Sequence, residues 1–337
     1  MSERTLEIEK PRSLKDFSFQ WEWFLIALFV IINIVNSLLT PYYFTADTFL
    51  STPMNFLDKA FLVYPMMMVI VLGNIDVSVG SIIALSSVIM AVSYNAGLSM
   101  PLAMVLCLVV STSCGFLNGF LQAKFRELSS TIITISTQII YRGIAYIILE
   151  DKAAGKFPTW FSFLGWGYVG KVPFIMIVFI VFTIFFAILI HKTRFGRQLF
   201  AMGNNSTASR YSGIKTENML ISVSTIMGFM AGITALFLTS RMGSTRPNVA
   251  TGYELDVIAM VVLGGVSTSG GKGRITGPLL SIFIIGFLNY GLGLFNISAQ
   301  VLLIIIGALL IVAVMLQNLR FDKSGQKSGA KHSQLKR

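Results

Sequence analysis

The chain has 337 residues, of which 54% are hydrophobic and 12% charged, with a formal net charge of +11 and a mean hydropathy of +0.75. Such a hydropathy lies outside the usual range of soluble domains and excludes a water-soluble enzyme or nucleic-acid-binding module as the body of the protein. Repeated apolar runs of roughly 17–25 residues predict an all-α polytopic membrane protein, not a barrel of alternating ten-residue strands.

In chain order, residues 1–20 are mixed in charge and have no small-residue cleavage site before the first apolar run, so they read as an inner N-terminal segment and not a removable signal. Ten crossings are expected near 23–40, 56–73, 79–96, 100–122, 130–149, 172–191, 217–239, 254–268, 277–294 and 299–317, followed by a basic tail at 318–337. Pro101, Pro173 and Pro278 each stand at an expected helix start, where the missing N–H costs nothing. Cys107 and Cys114 share one apolar run and lie about 10 Å apart along a helix, too far for a disulfide, so both read as packing residues.

Orientation follows from Lys and Arg. With the N-terminus inside, the inner segments carry Arg4, Lys10, Arg12 and Lys15; Lys124 and Arg126; Lys192, Arg194, Arg197, Arg210 and Lys215; Lys272 and Arg274; and six more beyond 317. These are 19 of the 26 basic residues, which places both termini in the cytoplasm by the positive-inside rule. The positive charge is therefore topological. It is scattered over short loops, whereas a nucleic-acid-binding face would gather it with stacking aromatics.

Residues 60–92 are nearly all apolar and would run about 50 Å as one helix, too long for a single crossing. The charges call for two spans meeting at a break or re-entrant region near 73–80, "GNIDVSVG". Since 60–72 covers only about 20 Å, that break lies within the membrane thickness, buried in protein or lining a wet cavity. Asp76 is the one acid well inside the apolar runs, while Glu254 and Asp256 stand near an outer span end. It has two compatible readings, a helix cap accepting orphaned N–H groups or a pathway residue.

The longest inner loop between spans, 192–216, has Phe195, Leu199 and Met202 at helical spacing, then a short helix with Asn205 or Ser206 as N-cap and Gly213 just past its end. "VLGGVSTSGGKGRITG", 262–277, is not a phosphate loop: Gly273 follows Gly271-Lys272 where Ser or Thr is needed, and Val266 stands where the first Gly would be. It reads as a flexible inner turn. Gly115 and Gly119, and Gly228 and Gly232, form two GxxxG pairs for close helix approach. Asn33, Asn36, Asn118, Gln138, Arg142, Asn289 and Gln300 are polar residues in or beside spans and read mainly as interhelical glue.

Three segments in register, "GNIDVSVGS" at 73–81, "TRFGRQLFAMGNNSTASRYSGIKT" at 193–216 and "GYELDVIAMVVLGGVSTSGGKGRITG" at 252–277, closely resemble the permease family of bacterial ABC importers for ribose, xylose, rhamnose, galactosides and autoinducer-2. The resemblance spans roughly 20–317 and implies a permease domain over 21–317 without enzymatic activity, in the bacterial inner membrane. Its implied partners are a second permease copy or related permease, two copies of an ABC ATP-binding subunit that holds ATP and Mg, and an extracytoplasmic sugar-binding protein. It assigns 192–216 as the ATPase-coupling loop, with Arg194, Gly196, Arg197, Gly203, Asn204, Ala208 and Gly213 on matching positions. Gly73, Asn74, Asp76, Ser78, Gly80 and Ser81 fall on the pathway or structural break, and Gly264, Gly265, Gly270, Gly271 and Gly273 on the inner glycine loop.

The chain also departs from the family pattern. Asn74 stands where sugar permeases commonly have Gly, which is closer to the rhamnose and autoinducer-2 branch and its paired permeases. "ITISTQ", 133–138, replaces the usual "VTLGTM". The competing classes are a proton-coupled secondary transporter using Asp76 and a non-transporting membrane scaffold.

Overall fold

The computed structural model describes residues 21–39, 43, 45–125, 127–295 and 297, with scattered positions between 301 and 315. The N-terminal segment, the basic tail, Arg126, Gln300 and most of the expected tenth span lie outside the described residues. In chain order the helices are α1 (Trp21–Leu39), α2 (Ala46–Ser51), α3 (Leu57–Ala60), α4 (Val63–Val71), α5 (Val79–Asn95), α6 (Met100–Lys124), α7 (Ser130–Leu149), α8 (Phe163–Trp166), α9 (Phe174–Lys192), α10 (Arg194–Asn204), α11 (Ser206–Tyr211), α12 (Thr216–Met242), α13 (Tyr253–Leu263) and α14 (Thr276–Leu294). Four two-residue strands accompany them: β1 (Ala154–Gly155), β2 (Tyr168–Val169), β3 (Val172–Pro173) and β4 (Ser244–Thr245).

Among the described residues, α1, α6, α7, α9, α12 and α14 are long and apolar enough to cross a bilayer, and a helix pair bent by 61° near residue 56 makes a seventh candidate. The protein is a multi-pass membrane protein. The expected span at 254–268 differs from the prediction. α13 has 11 residues, about 16 Å, because 244–252 ahead of it is not helical and Gly264 and Gly265 end it. α5 is also short, with 17 residues.

Local chemistry sets the helix ends. Pro101 lies in the first turn of α6, Pro173 is the N-cap of α9, and Pro278 is in the first turn of α14. α4 ends in a Schellman motif: Gly73, at φ 78°, donates its N–H to Ile70 O at 2.9 Å, and Asn74 donates to Val69 O at 3.1 Å. The same 5→2 and 6→1 bonds close α13 at Gly265 and α11 at Gly213.

At the centre of the bundle α6 crosses α12, and the two GxxxG pairs face each other there. A Cβ on Gly115 would stand 2.7 Å from the Gly228 Cα, and one on Gly228 the same distance from the Gly115 Cα. The backbones touch, gaining dispersion contacts that side chains would hold apart. Cys107 and Cys114 are buried in this region as free thiols. Around it, Phe61, Tyr64, Phe179, Phe186 and Phe237 join α3, α4, α9 and α12 through ring contacts of 5.0–6.4 Å.

The segment 150–173 caps one end of α12. β1 pairs antiparallel with β4, β2 with β3, the Gly165 N–H donates to Ser240 Oγ at 2.9 Å, and the Trp166 indole donates to Arg241 O at 2.9 Å. Gly228→Leu should destabilise the protein by about 1–3 kcal/mol or more through overpacking. Gly143→Ala, where a Cβ meets nothing within 4 Å, should be neutral or stabilising by up to about 1 kcal/mol. Thermal midpoints of the detergent-solubilised variants check this, and equal shifts would refute the close crossing.

Candidate functional site

The break between α4 and α5 is held by side chains from two neighbouring helices. Asp76 is 2% exposed, and its Oδ1 accepts from the Ser78 N–H at 2.8 Å and from Ser78 Oγ at 2.6 Å. Ser78 Oγ in turn accepts from Asn118 Nδ2 of α6 at 2.7 Å. The Tyr141 hydroxyl of α7 is shared between Asn118 Oδ1 at 3.1 Å and the Cys114 carbonyl at 3.2 Å. Each donor points toward the carboxylate, so Asp76 is the terminal acceptor of a one-way chain. Thr134 of α7 serves the exposed backbone of the break, donating to Ile75 O and accepting from the Val77 N–H, both at 3.3 Å. The capping reading of Asp76 therefore has direct geometry behind it. Gly80 and Ser81 stand in the first turn of α5, close to the helix start expected at 79, and Ser81 Oγ donates to Ser78 O at 2.6 Å.

Three sequence-distant segments meet at the Val71 carbonyl, where α4 ends. The Gly271 N–H donates to Val71 O at 2.8 Å. Gly203, near the end of α10, presses on the same oxygen so closely that a Cβ there would overlap it, and a Cβ on Gly270 would stand 3.0 Å away. Asn204 Nδ2 donates to Phe200 O at 2.9 Å and to Gly271 O at 3.3 Å. The glycine loop is packed and not the flexible turn expected from its composition. Gly264 abuts the Gly277–Pro278 backbone, Gly265 abuts the Trp21 indole, and Gly273 lies against Met67 and Val266. Trp21 Nε1 donates to Leu263 O at 2.8 Å, and Arg274 pairs with Glu22 at 3.5 Å, so the start of α1 lies at this same basic end.

The segment 194–211 forms two helices. Thr193 caps α10, its Oγ1 accepting from the Gly196 N–H at 3.3 Å, and Asn205 caps α11, its Oδ1 accepting from the Ala208 N–H at 2.8 Å. Leu199 and Met202 are buried and Phe195 half-buried, the periodicity expected from sequence. Gly196 sits against the Ile190 carbonyl with no room for a Cβ. Arg194, Arg197, Ala208 and Gly213 are exposed, as is Tyr211, which the sequence reading did not single out and which is 90% exposed. Between the break and these helices lies a pocket of about 220 Å³ lined by Asn74, Gln122, Ser130, Met202 and Ser206, among others.

A second polar cluster escaped the sequence reading. Asp58 is fully buried, with Oδ2 2.9 Å from Arg241 Nη2 and accepting from the Tyr253 hydroxyl at 3.2 Å. Lys59 pairs with Asp256 at 2.5 Å and lies 4.5 Å from the centroid of the Tyr253 ring. These pairs join the bent span to the end of α12 and the start of α13. The available signal was a set of opposite charges bordering apolar runs, with Glu254 and Asp256 noted only as span-edge acids. Of the polar residues expected to act as glue, Asn33 accepts from Tyr43, and Asn36 donates to Phe287 O. Arg142 donates to the carbonyls of Pro247 and Val249 at 2.6 and 2.7 Å. Among the described residues no cluster of His, Cys, Asp or Glu could hold a metal ion.

Asp76→Asn keeps the acceptor for Ser78 and should cost about 1 kcal/mol, whereas Asp76→Leu leaves buried donors unmet and should cost about 1–3 kcal/mol. Equal losses in thermal midpoint would show instead that the charge itself is required. Arg241→Met should destabilise by about 3–5 kcal/mol by stranding the Asp58 carboxylate, and adding Asp58→Asn should restore part of the loss. A double variant no more stable than Arg241→Met would show that the two charges act independently.

Residues 55–314 match the family described as "Branched-chain amino acid transport system / permease component". The ribose import permease protein RbsC of Bacillus subtilis is 33% identical over 318 residues, covering 94% of this chain and 98% of the relative. RbsC of Haemophilus influenzae is 35% identical over 298 residues, covering 87% and 91% respectively. The autoinducer 2 import system permease protein LsrD of Salmonella typhi is 31% identical over 304 residues, covering 88% and 91%. No solved structure matches the chain. With a family match over most of its length and relatives above 30% identity covering nearly all of both chains, the protein belongs to the branched-chain amino acid transport system / permease component family.

Proposed function

We propose that this chain is the membrane-spanning permease of a binding-protein-dependent ABC importer, moving a sugar or sugar-like solute into the bacterial cytoplasm by alternating access. The observation that carries the reading is the meeting of the coupling helices, the glycine loop and the α4–α5 break on the Val71 carbonyl. A push on α10 is delivered directly to the end of a half-membrane helix, as transport driven by a separate subunit requires. The exposed Arg194, Arg197, Arg210 and Tyr211 give the ATP-binding subunit a basic and aromatic docking face. ATP and Mg belong to that partner, and this chain is a transport subunit and not an enzyme.

The rest of the assembly follows from the same reading. The basic end is cytoplasmic, the chain lies in the inner membrane with both termini inside, a second permease completes the pathway, and an extracytoplasmic protein delivers the solute. The relatives include both ribose and autoinducer 2 permeases. Asn74, where sugar permeases of the family commonly have Gly, favours the rhamnose or autoinducer-2 type, with a paired permease, as the narrower reading. Against proton coupling through Asp76 stands its use as a cap, with Oδ1 accepting from both the Ser78 N–H and hydroxyl.

Arg194→Glu and Gly213→Val should leave membrane levels normal while abolishing uptake and solute-stimulated ATP hydrolysis in the assembled importer. Normal uptake by both variants would remove the coupling assignment. Dissipating the proton gradient at constant ATP should leave uptake unchanged, and its loss would favour the secondary-transporter class.

A further inference from the structure

Residues 244–252 run from the cap, where Ser244 and Thr245 pair with β1, inward to α13, and three measures place their inner part at membrane depth. α13 begins at Tyr253 and reaches Leu263, beside Trp21 at the basic end, after about 16 Å. Arg142, which holds the Pro247 and Val249 carbonyls, stands twelve residues, about 18 Å, from the start of α7. Gly80, in the first turn of α5, lies so close to the segment that a Cβ would stand 2.5 Å from the Ala250 carbonyl and from Glu254 Oε2. Halfway through a core of roughly 30 Å, this backbone has left helical geometry.

The segment is two-faced. Thr245, Pro247 and Val249 are buried, with Thr245 Oγ1 2.7 Å from Ser87 Oγ of α5. Arg246 and Asn248 alternate with them and are exposed, as is Thr251. An arginine and an amide projecting at mid-depth are tolerated against a wet cavity or protein and not against lipid tails. They border a pocket of about 300 Å³ shared with Ser244, Tyr253 and Met242, at the lower end of the roughly 300–1,000 Å³ range of small-molecule sites. Its lining is mixed: Leu238, Met242, Val249 and Ala250 are apolar, while Arg246, Asn248, Ser244, Thr251 and Tyr253 bring a guanidinium, an amide, hydroxyls and an aromatic ring, a combination suited to the apolar face and vicinal hydroxyls of a sugar ring.

We propose that 244–251 is the wall of the translocation pathway that touches the solute, and that Arg246 and Asn248 form a polar subsite for a polyhydroxylated, uncharged molecule. This rests on the transport function proposed above, so the test separates the wet wall from transport itself. In the complete importer reconstituted in lipid vesicles, Asn248→Cys and Arg246→Cys should react with a membrane-impermeant maleimide at least tenfold faster than Ile184→Cys. Ile184 is an exposed residue on α9, and the native thiols are buried. Asn248→Ala should slow uptake about tenfold and change the ratio of initial rates between two epimeric aldoses that the unmodified importer carries. Failure of both cysteines to label would overturn the proposal, as would labelling with an unchanged epimer ratio. Oxidative cross-linking of Asn248→Cys between two permeases in place of labelling would likewise overturn it, by making this face a subunit contact. Labelling of both cysteines with no uptake by the unmodified chain would uphold the wet wall and count against the transport reading.

Discussion

Backbone that leaves helical geometry inside a bilayer finds no partner among lipid tails, so every such N–H and C=O must be met by the protein or by water in a cavity. Among the described residues, 72–78 from one direction and 244–252 from the other carry that burden. One helix serves both, since Thr134 of α7 satisfies Ile75 and Val77 while Arg142, two turns further along, holds the carbonyls of Pro247 and Val249. Tyr141 beside it anchors the chain of donors that ends on Asp76. The polar content of α7, out of place in a purely lipid-facing helix, is what allows two irregular segments to exist at depth.

The half-length helices follow from this arrangement. α4 and α13 both end at the basic end in glycine-closed Schellman motifs, and both begin near the ion pairs of Asp58, Lys59, Arg241 and Asp256. Buried charges of this kind contribute little net stability but strongly penalise any arrangement that separates them. At the other end of the same helices, the Val71 carbonyl is crowded by glycine backbone from two segments, with no side chain in between to yield. Contacts of backbone against backbone transmit displacement with little loss, which suits the coupling proposed above.

Much of this was legible in the sequence, and for identifiable reasons. The break at Gly73, the caps of α11, the prolines at helix starts and the close glycine crossing all rest on local chemistry that a few residues determine. The helix α10 and its buried stripe could be read from the spacing of Phe195, Leu199 and Met202. Pairings across the chain were not legible: nothing near Asp58 reveals that Arg241 and Tyr253 will meet it. Arg142 read as interhelical glue because composition does not show that its partners are carbonyls of a non-helical loop. The span expected at 254–268 was misjudged because no charged residue interrupts the chain between Asp256 and Lys272, while hydrogen bonding, not hydrophobicity, ends the helix at Gly265. The glycine loop misled in a similar way, since absent side chains can mean either freedom or the tightest packing.

The short pairing of β1 with β4 has a mechanical meaning of its own. Ala154 and Gly155 belong to the cap over α12, and their partners Thr245 and Ser244 begin the segment that runs on to Arg246 and Asn248. The cap is also fastened to α12 through Gly165 on Ser240 and Trp166 on the carbonyl of Arg241, the residue whose side chain neutralises Asp58. Surface and interior are thus joined by a linkage only a few residues long. A load applied to the outside of the cap is carried, without passing through any long helix, to the charged cluster and the deep segment together.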